Sequence, residues 1–347
     1  KPLKYHIISE KGNEVIDKIL GNNGFSKENI DIVLKKALKK TEKETYQAME
    51  ALVHNLNSMH SRAGAQVPFT SANLGTDISE EGRMVTRNLL LATEAGLGAG
   101  ETAIFPISIF KVKDGVNYNP EDPNYDLFKL ACKVSAKRLF PNFSFMDSPF
   151  NKQFYKGDYN TEVGYMGCRT RVLANVCGPQ VTPGRGNLSF TSINLPRLGI
   201  KHGIALGERD KADMKEFYKE LDEIMDLVKG QLLQRFECQC SKSIRNFKFL
   251  LGSHVWLNSE NLSPNSKIRT VLKHGTLSIG FIGLAETLKA LIGEHHGESD
   301  KAQKLGLEII GHMREKCDEY TKDNNLNFTC LATPAEGLSG RFVAIDR

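Results

Sequence analysis

The stretch GYMGCRTRV, residues 164–172, places Cys168 in a glycine-bounded turn beside Arg169 and Arg171. A thiol in that setting can do three things. Neighbouring guanidinium groups can lower its pKa and make it a reactive thiolate. Kept neutral and sheltered, its S–H bond can donate and recover a hydrogen atom. It can also be a small buried spacer, and the local residues leave all three open. A second candidate is ATPAEGLSG, residues 332–340, where an apolar strand runs into Thr333-Pro334. Proline at a first helical position, followed by Ala335, Glu336 and Gly337, exposes backbone N–H groups at a helix start that an anion can approach. The cradle competes with an ordinary capped helix having Thr333 as N-cap, and the charge of Glu336 weakens the anion reading slightly.

Other polar clusters are less specific. HSRAGAQ, residues 60–66, groups His60, Ser61, Arg62 and Gln66 around small residues at a helix-to-strand junction. No acid is marked to complete a triad, so the choice is between a polar ligand-binding edge and a structural turn. GNLSFTSINLP, residues 186–196, is a strand whose Ser, Thr and Asn side chains, Asn187 first among them, need a wet or polar surface to face. Gly164-Tyr165 imitates the end of the Arg-x-x-Gly-Tyr glycyl-radical motif, but Thr161 stands where the arginine belongs, so that reading fails. Cys238 and Cys240 are too close for a zinc knuckle and have no matching second pair; they read as helix-end residues, and no metal site is expected. His295 and His296 read as solvated loop residues, and Cys177 as structural.

The elements that position these groups alternate between the two periods. Thr41 and Glu44 form a capping box ahead of Tyr46, Met49, Val53 and Leu56, which predicts a helix over 41–60. Ser79 with Glu80 and Glu81 opens a second helix that Gly96 closes. AIFPISIFKV is too densely apolar for a half-exposed strand and predicts one buried on both faces. Helices follow over 126–140 and 209–233, then a glycine-containing strand-to-helix passage from His274, a helix capped by Ser299 and a strand at NFTCLA. Strand and helix alternate throughout, so the class is α/β, with nothing marking a domain boundary.

Bulk properties narrow the function. A net charge of +5 over 347 residues suits an anionic small ligand, and no basic stripe with interleaved aromatics argues for a nucleic-acid polymer. No apolar run reaches membrane-spanning length, and the start carries no signal region. Seven irregularly spaced cysteines fit a reducing compartment, so a cytoplasmic protein is expected.

Three stretches, MHSRAGAQVPFTSANLGTD, GYMGCRTRV with GRGNLSFTSINLPRLGI, and NFTCLATPAEGLSGRF, together resemble the anaerobic (class III) ribonucleoside-triphosphate reductases. EEGRMVTRNLLLATEAGLGAGETAIFPISIFKV and HGTLSIGFIGLAETLKALIG fit the same family, so the resemblance spans about residues 30–347. It implies a ten-stranded α/β barrel of the glycyl radical enzyme type, incomplete here, in a single catalytic domain over 1–347. A finger loop over 164–186 would carry Cys168 at its tip. It further implies that a glycyl radical, installed by an S-adenosylmethionine iron–sulfur activase, converts Cys168 to a thiyl that takes the 3′ hydrogen of a ribonucleoside triphosphate. Formate or a thioredoxin-like protein would be the reductant. His60, Ser61, Asn187 and Thr333-Pro334-Ala335-Glu336-Gly337 would bind substrate. Helices within 41–100 would pair two subunits and frame a site for ATP or deoxynucleotide effectors, with Gln66 as an effector contact. The family's glycyl-radical motif, its four-cysteine zinc segment, its ATP-cone and its first barrel strand find no counterpart in these residues. The chain thus resembles the middle of a longer enzyme, inactive by itself. A pyruvate formate-lyase-like or diol-dehydratase-like enzyme, or a non-catalytic deoxynucleotide-binding module, are the alternatives; a phosphate cradle speaks against the first pair, whose substrates carry no triphosphate.

Overall fold

The computed structural model describes residues 10–60, 67–167, 170–172 and 174–347, without the side chains of Glu10, Lys11, Val172 and Glu336. The chain divides into two compact units, residues 1–172 and 173–347. Each is built on a three-stranded parallel sheet.

In the first unit, α1 (Glu10–Asn22) and α2 (Lys27–Ser58) precede the sheet of β1 (Ser71–Leu74), β2 (Ile107–Val112) and β3 (Asn142–Phe145), in that order. The crossovers are α3 (Glu80–Ala95) and α4 (Tyr125–Arg138). The central strand β2 is buried along its whole length. Phe110 and Val112 pack with Leu90, Leu127, Ala131 and Val134 from the two crossover helices. Ile107 and Ile109 face the other way, onto Leu56, Val67, Phe140 and Tyr165. Two covered faces explain the unbroken apolar run.

The helix expected over 41–60 starts much earlier. It begins at Lys27, capped by Ser26, whose side chain accepts from the Asn29 N–H. Thr41 lies inside it and turns its hydroxyl back to the Ala37 carbonyl at 2.9 Å. A box inside an existing helix finds its N–H groups already taken, so the hydroxyl bonds the preceding turn instead. The expectation for α3 stands: the Ser79 side chain accepts from the Gly82 N–H, and the helix ends at Gly96. Arg138, buried at the end of α4, donates to the carbonyls of Glu94, Ala95 and Gly100, meeting the negative end of α3 with positive charge.

After α5 (Pro149–Lys152), the first unit ends in an antiparallel hairpin, β4 (Gly164–Met166) with β5 (Thr170–Val172).

In the second unit, β6 (Asn187–Asn194), β7 (Thr276–Ile282) and β8 (Asn327–Ala332) form the sheet. The connections include α6 (Leu195–His202), α7 (Met214–Cys240), α8 (Arg269–Leu272), α9 (Leu284–Ile292) and α10 (Asp300–Asn324); α11 (Glu336–Asp346) follows β8. Along α7, Phe217, Leu221, Met225, Val228, Leu232 and Phe236 recur at steps of three and four and bury one stripe. That stripe meets Ile193, Leu277, Ile279 and Phe328 of the sheet and Ile309, Met313 and Cys317 of α10. Cys238 and Cys240 fall in the last turn of α7.

Candidate active site

Strand alternation sends successive side chains to the two faces of each sheet. In the first unit, Ser71 and Asn73 of β1 and Ser144 of β3 share the face away from α3 and α4, and the hairpin lies on them. The Asn73 side chain acts as a surrogate strand: its Nδ2 donates to the Tyr165 carbonyl at 2.8 Å and its Oδ1 accepts from the Tyr165 N–H at 2.9 Å. The Gly167 N–H donates to Ser71 Oγ at 3.1 Å, and Ser144 Oγ donates to the Tyr165 hydroxyl at 2.8 Å. Gly167 has φ +64°, and a Cβ there would press on the ring of Phe69 at 3.0 Å. The turn therefore needs glycine twice over, for its conformation and for the close approach. On β5, the Arg171 guanidinium stacks on Phe150 and donates to Asn151 Oδ1 at 2.9 Å.

Cys168 stands between these two strands in the sequence and lies outside the described residues, as do Ser61 and Gln66. What the structure contributes is the mooring of the hairpin on both sides of that cysteine. Asn73→Ala leaves a strand peptide without partners, which costs about 1–3 kcal/mol of docking. Hydrogen exchange at the Tyr165 amide is expected to accelerate about tenfold or more in this variant. An unchanged exchange rate would mean that the mooring lies elsewhere.

A buried ion triad holds the hairpin's approach. Glu162 bridges Lys111 Nζ at 3.0 Å and Lys113 Nζ at 3.2 Å, and accepts from Thr76 Oγ1 at 3.2 Å. Burial alone would raise the Glu162 carboxyl; Lys111 and then Lys113 overcome it and hold the group below the usual carboxylate range.

In the second unit, the face away from α7 carries Ser192, Ser278 and Thr329 beside Phe190 and Leu331. Ser278 and Thr329 share a hydrogen bond of 3.1 Å, and Ser192 and Thr333 one of 2.7 Å. The Ser192–Thr333 pair closes over Gly280 of the central strand, where a Cβ would collide with Thr333 Oγ1 and stand 2.9 Å from Ser192 Oγ. Glycine in a strand interior here marks a close approach of side chains from both neighbouring strands.

Thr333 is not the helix N-cap. Its N–H still belongs to the sheet, donating to the Phe281 carbonyl at 3.1 Å, and the cap position falls to Ala335. α11 starts two residues later than a Thr-Pro start would set it. The space beside Gly337 is open, so an anion can reach the first-turn N–H groups that a helix leaves unpaired. The far end of α11 is tied back to the sheet: Asp346 accepts from Asn194 Nδ2 at 2.6 Å and from Arg197 Nε at 2.6 Å.

Not every expected residue converges on this point. Asn187 is exposed at the opposite end of β6, paired in register with Thr276, five residues and thus about 16 Å of strand from Ser192. His60 is exposed just beyond α2, in the other unit. Pro334 is exposed beside the cradle. Gly280 was missed, and a glycine inside the strand GTLSIGF was the available signal.

Two units, each a three-stranded parallel sheet with helical crossovers, and a hairpin moored across one of the sheets define the class as α/β. Residues 17–347 match the family described as anaerobic ribonucleoside-triphosphate reductase, and the chain belongs to that family. The anaerobic ribonucleoside-triphosphate reductase of Salmonella typhimurium is 31% identical over 319 residues, covering 89% of this chain and 42% of that protein. The phage T4 reductase is 30% identical over 318 residues, covering 89% of this chain and 49% of its own length. The chain thus spans somewhat less than half of these relatives. Among solved structures, an anaerobic ribonucleotide reductase superposes with a TM-score of 0.57 at 16% identity, over 90% of this chain and 47% of the other. The Thermotoga maritima anaerobic ribonucleotide reductase in complex with dATP and CTP gives 0.52 at 13% identity, over 92% and 49%. The fold is accordingly theirs, present here as an incomplete barrel.

Proposed function

We propose that this chain is the central part of an enzyme that reduces ribonucleoside triphosphates to 2′-deoxyribonucleoside triphosphates without oxygen, for DNA precursor synthesis. The observation that carries the reading is the hairpin clamped at Tyr165 and Gly167, immediately before Cys168, in a member of this family. A hydrogen-atom carrier has to be held in place, because abstraction requires the sulfur within contact distance of one carbon.

The chemistry that a glycyl radical supplies is withdrawal of a hydrogen atom from a thiol, and Cys168 is the residue of this chain that would yield it. The Cys168 sulfur then takes the 3′ hydrogen of the ribose, forming S–H and leaving the unpaired electron on carbon. This exchange is nearly balanced, since the S–H bond is close in strength to a C–H bond beside oxygen. The 2′ hydroxyl takes up a proton and leaves as water; formate, released as carbon dioxide, or a thioredoxin-like dithiol, left as a disulfide, gives two electrons and a proton to C2′, and the Cys168 S–H returns its hydrogen atom to C3′, so that the sulfur is again the radical. Enclosure protects such intermediates from side reactions.

The residues that would serve substrate are Thr333, Pro334, Ala335, Glu336 and Gly337 for the phosphates and Asn187, His60 and Ser61 elsewhere. Gln66 would contact an ATP or deoxynucleotide effector, and the helices within 41–100 would join two subunits. No group of three potential metal ligands is assembled among the described residues; a glycyl radical and zinc would be the enzyme's further cofactors. The partners would be an S-adenosylmethionine iron–sulfur activase and a second copy of the protein, in the cytoplasm; among the described residues no helix is long and apolar enough to cross a membrane.

The test is turnover by the protein carrying this segment, activated under anaerobic conditions and offered ATP, CTP, GTP or UTP with formate or a thioredoxin-like donor. Formation of the matching deoxynucleotides is expected. Turnover of small acids or polyols with no deoxynucleotide formed would overturn the reading.

A further inference from the structure

Two buried side-chain amides meet at the N-terminal end of the β6–β7–β8 sheet, away from Thr333. Asn175 and Asn327 are each 5% exposed. Asn327 opens β8 and stands in register with Thr276 of β7. Its Nδ2 donates to Asn175 Oδ1 at 3.2 Å and reaches the Gly275 carbonyl at 3.3 Å; its Oδ1 accepts from the Val176 N–H at 2.9 Å. Asn175 Oδ1 also accepts from the Cys177 N–H at 3.0 Å. Its Nδ2 donates to the Pro179 carbonyl at 3.2 Å and to His274 Nδ1 at 3.1 Å. A side-chain amide has two donor hydrogens and two acceptor lone pairs, so these four partners use Asn175 completely.

The neighbours favour this arrangement. Burial, then the charges of Lys273 and Arg185, hold the His274 imidazole below the usual histidine range, which keeps Nδ1 an acceptor. A Cβ at Gly178 would stand 2.7 Å from His274 Cε1, so glycine is what lets the segment lie against the ring. The Cys177 thiol donates to the Asn325 carbonyl at 3.2 Å. Residues 175–179 are thereby pinned to the turn before β7 and to the start of β8.

The pinned segment is the return path of the Cys168 loop. Asn175 follows Val172, the last residue of β5, by three positions. Three residues reach about 11 Å at most, so a fixed Asn175 limits how far the β5 limb can stray. The clamp made by Asn73 and Ser71 acts on the other limb, at Tyr165 and Gly167. We propose that Asn327, acting through Asn175, is a positioning residue for the Cys168 sulfur, the two amides locking the returning limb of its loop to the second sheet. The inference rests on the reading of Cys168 as the hydrogen-atom carrier. Misplacing a reacting atom by about 1 Å costs on the order of a hundredfold in rate. Nucleotide affinity does not depend on where the sulfur sits, so the loss should fall on kcat and not on KM.

The test uses the protein bearing this segment, charged with its glycyl radical under anaerobic conditions, as wild type, Asn327→Ala, Asn175→Ser, Ile309→Val and Cys168→Ser. Each is followed by electron paramagnetic resonance and by kcat and KM for CTP, and amide hydrogen exchange is measured at Val176 and Cys177. Asn327→Ala is expected to keep its radical signal and a KM within about twofold of wild type, while kcat falls about 10- to 100-fold. Both amides should exchange about tenfold faster or more. Ile309→Val, a change inside the core of the same unit, controls for lost stability and should keep kcat within about twofold. Wild-type kcat in Asn327→Ala, a loss confined to KM, unchanged exchange at both amides, or an equal fall of kcat in Ile309→Val would each overturn the proposal. Should Asn327→Ala not fold, Asn175→Ser decides on the same readouts. Cys168→Ser separates the two claims. If it is inactive beside an active wild type, the underlying reading stands and a normal Asn327→Ala refutes the lock alone; turnover by Cys168→Ser refutes the reading, and the lock with it.

Discussion

Glu162→Ala is expected to destabilise the first unit by roughly 3–5 kcal/mol, because it strands two lysines in the interior. The Glu162 side chain is 6% exposed, and Lys111 and Lys113 are 11% and 17% exposed. Water therefore cannot replace the carboxylate well. Lys113 is held besides by the ring of Tyr155, 4.1 Å from its Nζ, but a ring face supplies less than an ion pair. The same carboxylate makes the unit acid-sensitive. The folded group titrates below its usual value, so its contribution is complete above the unfolded carboxylate pKa of about 4.3. It is lost as pH falls from there through the folded value. Urea midpoints measured between pH 7 and pH 3 should fall more for wild type than for Glu162→Ala, the two curves converging in acid. Parallel curves would show that the triad contributes nothing to folding.

Gly280→Val is the second large effect. The new side chain occupies the space where Ser192 and Thr333 meet, so either the hydroxyl pair separates or β7 shifts. Overpacking of this kind costs about 1–3 kcal/mol in stability. The functional loss should exceed what that figure suggests, since displacing Thr333 moves the entry to α11. Affinity for a ribonucleoside triphosphate is expected to fall about 10- to 100-fold, equivalent to losing one or two hydrogen bonds to charged oxygens. Equilibrium binding to the soluble, folded variant checks this. Wild-type affinity in Gly280→Val would remove the Ser192–Thr333 neighbourhood from the site.

Local pattern carried the elements well wherever burial is one-sided or complete. The α7 stripe and the fully apolar β2 were readable because side-chain periodicity is set by the same geometry that sets packing. The start of α2 was missed although Ile30, Leu34, Ala37 and Thr41 recur at steps of four, three and four: of these only Ile30 is fully buried, and Thr41 and Glu44 mimic a beginning. Thr333 failed for a different reason. Whether its N–H starts a helix or ends a sheet depends on the Phe281 carbonyl, 52 residues earlier in the chain. The Ser192–Thr333 hydrogen bond spans 141 residues, and no window on the sequence contains both partners. Polar strand residues around Asn187 announced a face carrying polar side chains, but only the register shows that Asn187 and Thr333 sit at opposite ends of it.

Cys168 carries the central claim, and one comparison tests it directly. The protein bearing this segment is charged with its glycyl radical under anaerobic conditions, as wild type and as Cys168→Ser. Both are followed by electron paramagnetic resonance and by deoxynucleotide formation from CTP. A serine O–H bond is too strong to give up its hydrogen atom, so the variant should keep its radical signal and form no deoxynucleotide. Wild-type turnover by Cys168→Ser would contradict the account.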